Sequence, residues 1–275
     1  MNYQQLPPHP ALASYVKEYV LLHFDFTGLD TIPTKLMPAR AEHSLIFYPG
    51  EVFTKVHTER QQHFVIPHAV VQGQPLTHWQ HHYPRQFKVV KVVFQPGGLY
   101  HLLGGMPLAA LTDATLDAES VLGSEISTLT QHLMNTAQYA EMIRVVDTYL
   151  FRRFRRRALR LEPIDKVSYL LQAQSQAYSL EYLAQQACLS YRQFERKFRD
   201  RMGVSPKLFA RLVRFNKAQA LKEKSPTYDW LTVALACGYA DYQHLAKDFK
   251  QFAGVTPATF LREAAHSPEY VLRLR

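Results

Sequence analysis

Two stretches in the second half of the chain repeat one pattern. Residues 190–209 read SYRQFERKFRDRMGVSPKLF, and residues 241–260 read DYQHLAKDFKQFAGVTPATF. A shift of 51 positions aligns their aromatic, basic, glycine and proline residues without a gap. Internal repetition of this kind indicates two copies of one structural unit. The repeat therefore predicts a domain built from two similar modules.

Each copy contains the signals of a capped amphipathic helix. In the first copy, Ser190 followed by Gln193 is a capping box, which predicts a helix start. Phe194 and Phe198 are four residues apart and therefore share the buried face. Gly203 ends the helix as its C-cap, and a Ser-Pro pair then begins the next helix. In the second copy, Asp241 is the expected cap, Leu245 and Phe249 face inward, and Gly254-Val-Thr-Pro closes the unit.

A shorter helix is expected before each capped helix, so that each copy has the order helix, turn, helix. The turns are expected at Cys188-Leu189 and at Gly238. The inward-facing residues predicted for the shorter helices are Leu180, Leu183, Ala184 and Ala187 in the first copy, and Leu231, Ala234 and Leu235 in the second.

The segment from Pro206 to about Lys224 joins the two copies. Its apolar residues recur at helical spacing, with arginine and lysine residues between them, which predicts a single long amphipathic helix. A rigid helix of fixed length sets the distance between the modules. Recognition helices about one turn of DNA apart, roughly 34 Å, can enter successive major grooves.

The first half of the chain has a different composition. Short runs rich in β-branched and aromatic residues lie between prolines and glycines, for example residues 44–48, 63–66, 69–72 and 87–94. Such runs predict strands of a β-barrel or sandwich. One helix is expected before them, at about Ala11–Tyr19, and the pattern becomes helical again from about Asp117.

Charge is concentrated in the second half of the chain. Residues 161–275 contain 17 Lys and Arg against 11 Asp and Glu, whereas residues 1–160 contain 15 against 12. A basic domain is a candidate for binding polyanions. No secretion signal or membrane span is recognisable, so a cytoplasmic protein is expected. Cys188 and Cys237 are expected to be small buried core residues.

The second half resembles the AraC/XylS family of bacterial transcription regulators over about residues 165–265. The segments that carry the resemblance are SLEYLAQQACLSYRQFERKFRDRMGVSPKLFARLVRFNKAQAL and WLTVALACGYADYQHLAKDFKQFAGVTPATFLRE. Two residues depart from the family pattern, Leu245 in place of Phe and Lys247 in place of Arg. The lysine keeps its charge but lacks the bidentate fork of arginine.

The first half resembles, more loosely, the N-terminal domain of one subgroup of this family. The residues that carry this resemblance are Pro10, Leu12, Tyr15-Val16, Phe94-Gln-Pro-Gly-Gly-Leu-Tyr100, Leu108, Leu111-Thr-Asp113 and Leu122-Gly123. The resemblance implies an α+β protein of two domains: a cupin-like β-domain with flanking helices (residues 1–160), and an all-α double helix-turn-helix domain (residues 161–275).

The resemblance also implies a function. A protein of this kind is a sequence-specific regulator of transcription, more often an activator than a repressor, under the control of a small molecule sensed by the N-terminal domain. Its implied partners are double-stranded DNA, RNA polymerase and a small-molecule effector, and helices at about residues 122–157 are the implied surface for a homodimer. No membrane partner, cofactor, metal or catalytic residue is expected. The effector, the operator and the target genes stay open.

Site residues follow by position within the two copies. Arginine reads guanine O6 and N7, glutamate accepts from cytosine N4, and glutamine suits adenine. The side chains expected at base edges are Arg192, Glu195, Arg196, Tyr242, Gln243 and Lys247. Phosphate contacts set register and affinity, and the residues expected to make them are Ser190, Tyr191, Arg199, Asp241 and Lys250.

An enzyme is the main alternative class. His57, His63, His68 and the run His78-Trp-Gln-His81-His82 could supply metal ligands in a cupin-like barrel, but no His-x-His with a following Glu is present. Pro96-Gly97-Gly98 lacks the Lys-Ser/Thr of a phosphate-binding loop. DNA methyl-transfer repair proteins carry the same DNA-binding motif. They also need a reactive cysteine and a cysteine-rich zinc site, and this sequence predicts neither. RNA binding is set lower because paired helix-turn-helix units suit duplex DNA.

Overall fold

The computed structural model describes residues 2–57, 61–157, 160–173 and 178–274. Within these ranges the strands are β1 (Asn2–Leu6), β2 (Val16–Asp25), β3 (Lys35–Met37), β4 (Ser44–Phe47), β5 (Thr54–His57), β6 (Gln62–Val65), β7 (Ala69–Gln72), β8 (Trp79–His82), β9 (Gln86–Phe94) and β10 (Thr115–Asp117). The α-helices are α1 (Gly98–Leu102), α2 (Ala118–Leu122), α3 (Glu125–Met134), α4 (Tyr139–Arg157), α5 (Pro163–Ala173), α6 (Leu180–Gln186), α7 (Tyr191–Met202), α8 (Pro206–Lys224), α9 (Trp230–Ala236), α10 (Tyr242–Ala253), α11 (Pro257–Ala264) and α12 (Pro268–Val271).

The described strands of the first half form two antiparallel sheets. One sheet has the order β1-β2-β9-β4-β7-β10, and the other has the order β3-β8-β5-β6. Helices α1 to α4 follow the main strands along the chain. The second half is helical throughout its described part. The predicted α+β class, with an N-terminal β-domain flanked by helices and an all-α C-terminal domain, is confirmed.

The helix predicted at Ala11–Tyr19 is wrong. A single 3₁₀ turn covers Pro10–Leu12, and the chain then enters β2 at Val16. Strand β2 pairs with β1 on one side and with β9 on the other. Hydrogen bonds to both neighbours, together with β-branched and aromatic residues that suit a pleated surface, decide the conformation of this segment.

The larger sheet has a buried side chain layer on each face. One face packs against α1 to α4, where Val90 and Val92 of β9 meet Leu129, Val146 and Leu150 in one continuous core. Between the two sheets lies a second core of aromatic residues, among them Phe24, Phe26, Phe53, Tyr83 and Phe87. A cavity of about 670 Å³ opens beside this aromatic core.

The helices of the C-terminal domain surround a core rich in phenylalanine. Phe194, Phe198, Phe209, Phe215 and Phe249 are all fully buried there. Helix α8 runs from Pro206 to Lys224, which confirms the predicted joining helix. At 1.5 Å per residue its 19 residues span about 28 Å. The predicted domain boundary at residues 160 and 161 lies between α4 and α5, and it stays a prediction.

Three expectations about burial in this domain are wrong. Leu231 and Leu235 of α9 are about half exposed, because Val233, Ala234 and Cys237 form the inward face instead. Cys188 is exposed, since it occupies a turn at a left-handed φ of 54° after α6 has ended. Glycine 238, at φ 71°, fills the matching turn of the second copy.

Candidate DNA-binding surface

Helix α7 is the second helix of the first copy, and local contacts fix both of its ends. The Ser190 hydroxyl accepts a hydrogen bond from the Gln193 backbone N–H at 3.3 Å, and the Ser190 N–H donates to Gln193 Oε1 at 3.0 Å. This confirms the predicted capping box. Phe194 and Phe198 are fully buried, and Gly203 ends the helix at φ 75°. The opposite face of α7 is thereby turned away from the core.

The exposed face of α7 carries the predicted reading residues of the first copy. Tyr191, Arg192, Arg196 and Arg199 are exposed, and Glu195 is half-buried. In the described part of the chain, no hydrogen bond or ion pair engages the guanidinium groups of Arg192 and Arg196. Arg199 lies 3.9 Å from the Glu195 carboxylate. Two arginines on this face therefore have their donors available to a ligand.

Helix α10 repeats this arrangement in the second copy. The Asp241 carboxylate accepts from the His244 backbone N–H at 2.8 Å, which confirms the predicted cap. Leu245 and Phe249 are fully buried. Gln243 and Lys247 are exposed, whereas Tyr242 is half-buried against the core.

Two predicted phosphate contacts in the second copy already have partners within the chain. The Lys250 ammonium donates to the Gly254 carbonyl at 3.1 Å, at the end of its own helix. Hydrogen bonds from the backbone and side chain of His244 lower the pKa of Asp241. An ionised carboxylate repels phosphate, so a phosphate contact at this cap has to use backbone N–H groups.

Helix α8 is tied to the second copy by a buried charge cluster. Asp248 of α10 accepts from Arg211 at 2.6 Å and from the Tyr239 hydroxyl at 3.0 Å, and Arg214 lies 3.7 Å away. The Arg214 guanidinium also lies over the Tyr239 ring. These contacts fix α10 against the joining helix, which keeps the two copies at one spacing.

A residue that the sequence did not single out anchors α7 from within. Arg201, in the last turn, is buried between the two domains and donates from Nε to Asp165 Oδ1 at 2.8 Å. It also lies 3.1 Å from Glu162, and His101 Nε2 of the N-terminal domain lies 3.2 Å from the same Asp165. Burial opposes ionisation of Asp165, but the interaction with His101 and the charge of Arg201 outweigh it and lower its pKa.

The N-terminal domain also contacts the C-terminal ends of both α7 and α10. His43 Nε2 donates to the Met202 carbonyl at 3.2 Å, and the Thr112 hydroxyl donates to the Gly203 carbonyl at 2.8 Å. At the second copy, the Ala39 N–H donates to the Phe252 carbonyl at 2.9 Å. A Cβ on Gly254 would lie 2.3 Å from the His78 ring. Sequence periodicity gives no signal for contacts between domains.

Of the histidines that raised the metal alternative, His63 and His82 lie close together, with ring centroids 6.5 Å apart. Among the described residues, no group of three or more His, Cys, Asp or Glu side chains is placed to hold a metal ion. No helix in the described ranges is long and apolar enough to cross a membrane.

Two families match separate parts of the chain. Residues 183–263 match the family described as a helix-turn-helix domain. Residues 4–117 match a family described as a domain of unknown function (DUF6597). The helix-turn-helix match covers α7, α8, α9 and α10, the region in which the sequence repeat was found.

Curated relatives are similar to shorter stretches of this chain. The HTH-type transcriptional regulator MtrA of Neisseria gonorrhoeae is 30% identical over 86 residues, which is 31% of this chain and 28% of that protein. The HTH-type transcriptional regulator ArgR of Pseudomonas aeruginosa is 33% identical over 76 residues, which is 27% of this chain and 22% of that protein. The similarity thus spans less than a third of the length of either relative.

Among solved structures, that of ToxT from Vibrio cholerae O395 aligns with 91% of this chain and 98% of its own. The TM-score of this alignment is 0.49 and the sequence identity is 10%.

Proposed function

We propose that this chain, which carries an AraC-type helix-turn-helix domain over residues 183–263, is a sequence-specific DNA-binding regulator of transcription. Its partner is double-stranded DNA, and α7 and α10 read two adjacent segments of the major groove. The observation that carries the proposal is the pair of capped helices, each buried on one face and each presenting exposed basic and amide side chains on the other.

Six side chains read bases in this proposal. On α7, Arg192 and Arg196 bond guanine O6 and N7 through unengaged guanidinium groups, and Glu195 accepts from cytosine N4. On α10, Gln243 pairs with adenine, while Tyr242 and Lys247 contact neighbouring base edges. A bidentate arginine contact discriminates by about 1–3 kcal/mol, more than the single point charge of Lys247 provides. The first copy therefore dominates sequence choice.

Phosphate contacts hold the register of this complex on the duplex. They come from the exposed Tyr191 and Arg199, from the cap at Ser190, from the backbone N–H groups at Asp241, and from Lys250 once it leaves the Gly254 carbonyl. Each neutralised phosphate releases a counterion, so the affinity falls steeply as salt rises.

The N-terminal domain controls this activity by sensing a small molecule. Support comes from the cavity between its sheets and from its contacts with both reading helices. Since His43 and Ala39 hold the ends of α7 and α10, a change in the β-domain alters the geometry of the two helices together. A DNA-binding regulator of this kind acts in the cytoplasm, where its partners are DNA and RNA polymerase, and activation is the favoured direction.

The protein forms a homodimer through the helices at residues 122–157. Phe151 of α4 is 45% exposed, a large apolar side chain on this surface. Sedimentation at micromolar concentration tests this part, and a wild-type chain that stays monomeric there contradicts it.

The experiment that tests the proposal is retention of genomic fragments at about 150 mM salt followed by sequencing. The wild type is expected to recover a motif of two blocks about one helical turn apart. The Arg192→Ala, Arg196→Ala variant is expected to lose or relax one block, at a cost of about 1–3 kcal/mol for each bidentate contact.

The matched control removes two exposed basic side chains of the N-terminal domain that lie outside the proposed DNA-binding and dimer surfaces, Lys17→Ala and Arg85→Ala. It keeps the motif if the arginines of α7 read bases. Equal losses in both variants, with uniform and salt-sensitive retention, mean that general charge drives binding and contradict sequence-specific reading.

A further inference from the structure

Three basic side chains form a row across the smaller sheet. The register pairs Lys35 of β3 with His81 of β8, and His81 with Lys55 of β5. All three line the cavity between the sheets. Residues directly opposite one another on adjacent strands hold their side chains about 5 Å apart, and like charges placed so close destabilise a sheet. We call Lys35, His81 and Lys55 the basic row.

Burial and the charges of Lys55 and Lys35 lower the pKa of His81 to about 3. The imidazole is therefore neutral near pH 7 and offers one donor between two ammonium groups. Lys91 of β9 also lines the cavity, but it forms an ion pair with Glu42. Arg40 and Lys224 line it too, but both are exposed, whereas Lys35 is half-buried and Lys55 is buried. The two lysines of the basic row are therefore less solvated than Arg40 and Lys224.

The positive charges of the two lysines of the basic row are neutralised to different degrees by neighbouring groups. Lys35 forms a largely buried ion pair with Glu269 of α12, a residue of the C-terminal domain. Lys55 is 7% exposed, donates to the Thr115 hydroxyl at 2.8 Å and lies 4.0 Å above the Trp79 ring. Within the described ranges, no carboxylate lies at ion-pair distance from Lys55. Burial lowers the pKa of Lys55 to about 8, and the charge of Asp113, which acts in the opposite direction, offsets this effect only in part.

The segment 267–274 brings an apolar group and a carboxylate to the same cavity. Glu269 and Leu274 line it, and Leu272 and Leu274 pack against the aromatic core between the sheets. Phe53, Tyr83 and Phe87 of that core face the cavity as well. The segment therefore presents the two features that complement this space: a carboxylate at the basic row and branched aliphatic groups at an aromatic wall.

We propose that this cavity binds an organic carboxylate with a compact apolar body, and that residues 267–274 act as an internal occupant with which this ligand competes. The ligand carboxylate lies on the basic row, where it pairs with Lys55 and takes the place of Glu269 at Lys35. Its apolar body lies against Phe53, Tyr83 and Phe87. The inference rests on the proposed sensing function and names the ligand class for it.

Competition with this segment couples ligand binding to the DNA-binding domain. Glu269 follows α11, which packs against β3, and α11 in turn packs against α10. Phe260 of α11 contacts Phe249 of α10, with ring centroids 5.6 Å apart. A ligand that releases Glu269 therefore removes a tie between the β-domain and the helices next to α10.

The test is thermal unfolding of the full chain with benzoate and with 4-methylpentanoate, each at millimolar concentration and constant ionic strength. Benzamide and 4-methylpentanamide are the neutral controls of equal size. A ligand that binds the folded state raises Tm as its concentration rises. We expect the carboxylates to raise Tm by on the order of 2 °C or more, and the amides to leave it unchanged.

Two variants separate the parts of the proposal. Glu269→Gln removes the carboxylate that competes with the ligand at Lys35, so this variant is expected to respond at benzoate concentrations several-fold lower than the wild type needs. Lys55→Met is expected to lose the response, whereas Lys88→Met, which changes a lysine of β9 that does not line the cavity, keeps it. If Lys55→Met does not fold, the benzoate-dependent Tm of Glu269→Gln still tests whether the ligand competes with Glu269.

Three outcomes would each overturn the inference. Benzoate and benzamide could shift Tm equally, or the carboxylates could leave Tm unchanged in both the wild type and Glu269→Gln. The third is an unchanged Tm response in a folded Lys55→Met variant. DNA retention is measured on the same preparations, both with and without the carboxylate. A chain that binds carboxylates but retains no specific DNA contradicts the proposed function and leaves this inference standing.

Discussion

The two helix-turn-helix copies share one sequence pattern but differ in how the rest of the protein holds them. At the end of α7, Arg201 lies in a buried charge cluster with Asp165, Glu162 and His101. The equivalent position of α10 is Phe252, which packs on Phe215 in the apolar core. The two copies share the residues that form each helix. At positions that contact other parts of the protein, the residue type differs because the neighbouring residues differ.

The contacts with the N-terminal domain show the same difference. A histidine side chain, His43, donates to the first copy, whereas a backbone N–H, that of Ala39, donates to the second. The first copy is therefore held by groups that titrate and by buried charges. The second is held by the backbone and by apolar packing, together with the Asp248 cluster on the side of α8.

The largest expected effect on stability comes from a substitution that breaks the charge cluster of the first copy. Arg201→Met leaves Asp165 buried with only His101 and a backbone N–H beside it. Removing one partner of a buried pair costs about 3–5 kcal/mol, so the free energy of unfolding is expected to fall by that amount. Urea unfolding measures it. Arg199→Met, two residues away and exposed, is the control and is expected to change stability by less than about 0.5 kcal/mol. Similar losses in the two variants would contradict a structural role of the cluster.

Acid is expected to loosen the first copy before the second. Burial lowers the pKa of His43 to about 4, despite its hydrogen bond to Met202 and the nearby Glu42 charge. The folded state thus favours the neutral imidazole, and this stabilisation is complete above the unfolded pKa of about 6.5. It is lost as the pH falls from about 6.5 to about 4, by roughly 1.4 kcal/mol per pH unit and about 3 kcal/mol in all.

The measurement is urea unfolding of the wild type and of His43→Gln at several pH values across that window. His81 contributes in the same direction, since its pKa is also lowered, and its contribution remains in the variant. The variant is therefore expected to keep a shallower slope. Identical slopes would show that His43 does not make the first copy sensitive to acid.

The next effect compares the two C-cap glycines. Gly203 and Gly254 have φ values of 75° and 73°, and an added Cβ would lie 2.5 Å from Thr112 Oγ1 and 2.3 Å from the His78 ring. Alanine at either position is expected to cost about 2 kcal/mol, from the left-handed backbone and the clash together.

A double-mutant cycle sharpens this comparison. Because the clash at Gly254 is with one side chain, His78→Ala is expected to recover about 1 kcal/mol of the Gly254→Ala loss and none of the Gly203→Ala loss. Additive losses for His78 and Gly254 would show that the two residues do not press on each other in solution.

The smallest effect concerns the turns within the copies. Cys188 has a φ of 54°, whereas Gly238 occupies the matching turn. Cys188→Gly is expected to stabilise the protein by about 0.5 kcal/mol, because the relief of left-handed strain exceeds the extra entropy of glycine in the unfolded chain. The thermal midpoint measures this gain. Gly238→Ala is expected to lower stability, and the same sign in both variants would contradict the comparison.

Short-range patterns carried much of the prediction. The capping box at Ser190, the cap at Asp241 and the bounds of α8 each depend on residues within a few positions along the chain. Periodicity placed Phe194, Phe198 and Phe249 in the core, where the structure has them. The reading residues of α7 and α10 follow from the same patterns together with the family resemblance, and their contacts with DNA stay a prediction.

The predictions that failed concern residues whose burial or secondary structure depends on contacts with distant parts of the chain. Leu231 and Leu235 are apolar and at helical spacing, yet the small side chains of Val233 and Ala234 allow α9 to approach the core on a different face. Residues 16–19 suit a helix locally, but they pair with β9, and Tyr19 pairs with β1 as well. No sequence pattern distinguishes the buried Arg201 from the exposed arginines of α7.

The sequence by itself determined the helical repeat, its caps, the joining helix and the division into a β-rich and a helical half, because those features depend on contacts within a few residues. Only the tertiary structure decided which charges are buried, which ends of α7 and α10 touch the β-domain, and that Lys35, His81 and Lys55 form one row beside Glu269. These residues are far apart along the chain, and strand register and domain packing alone bring them together.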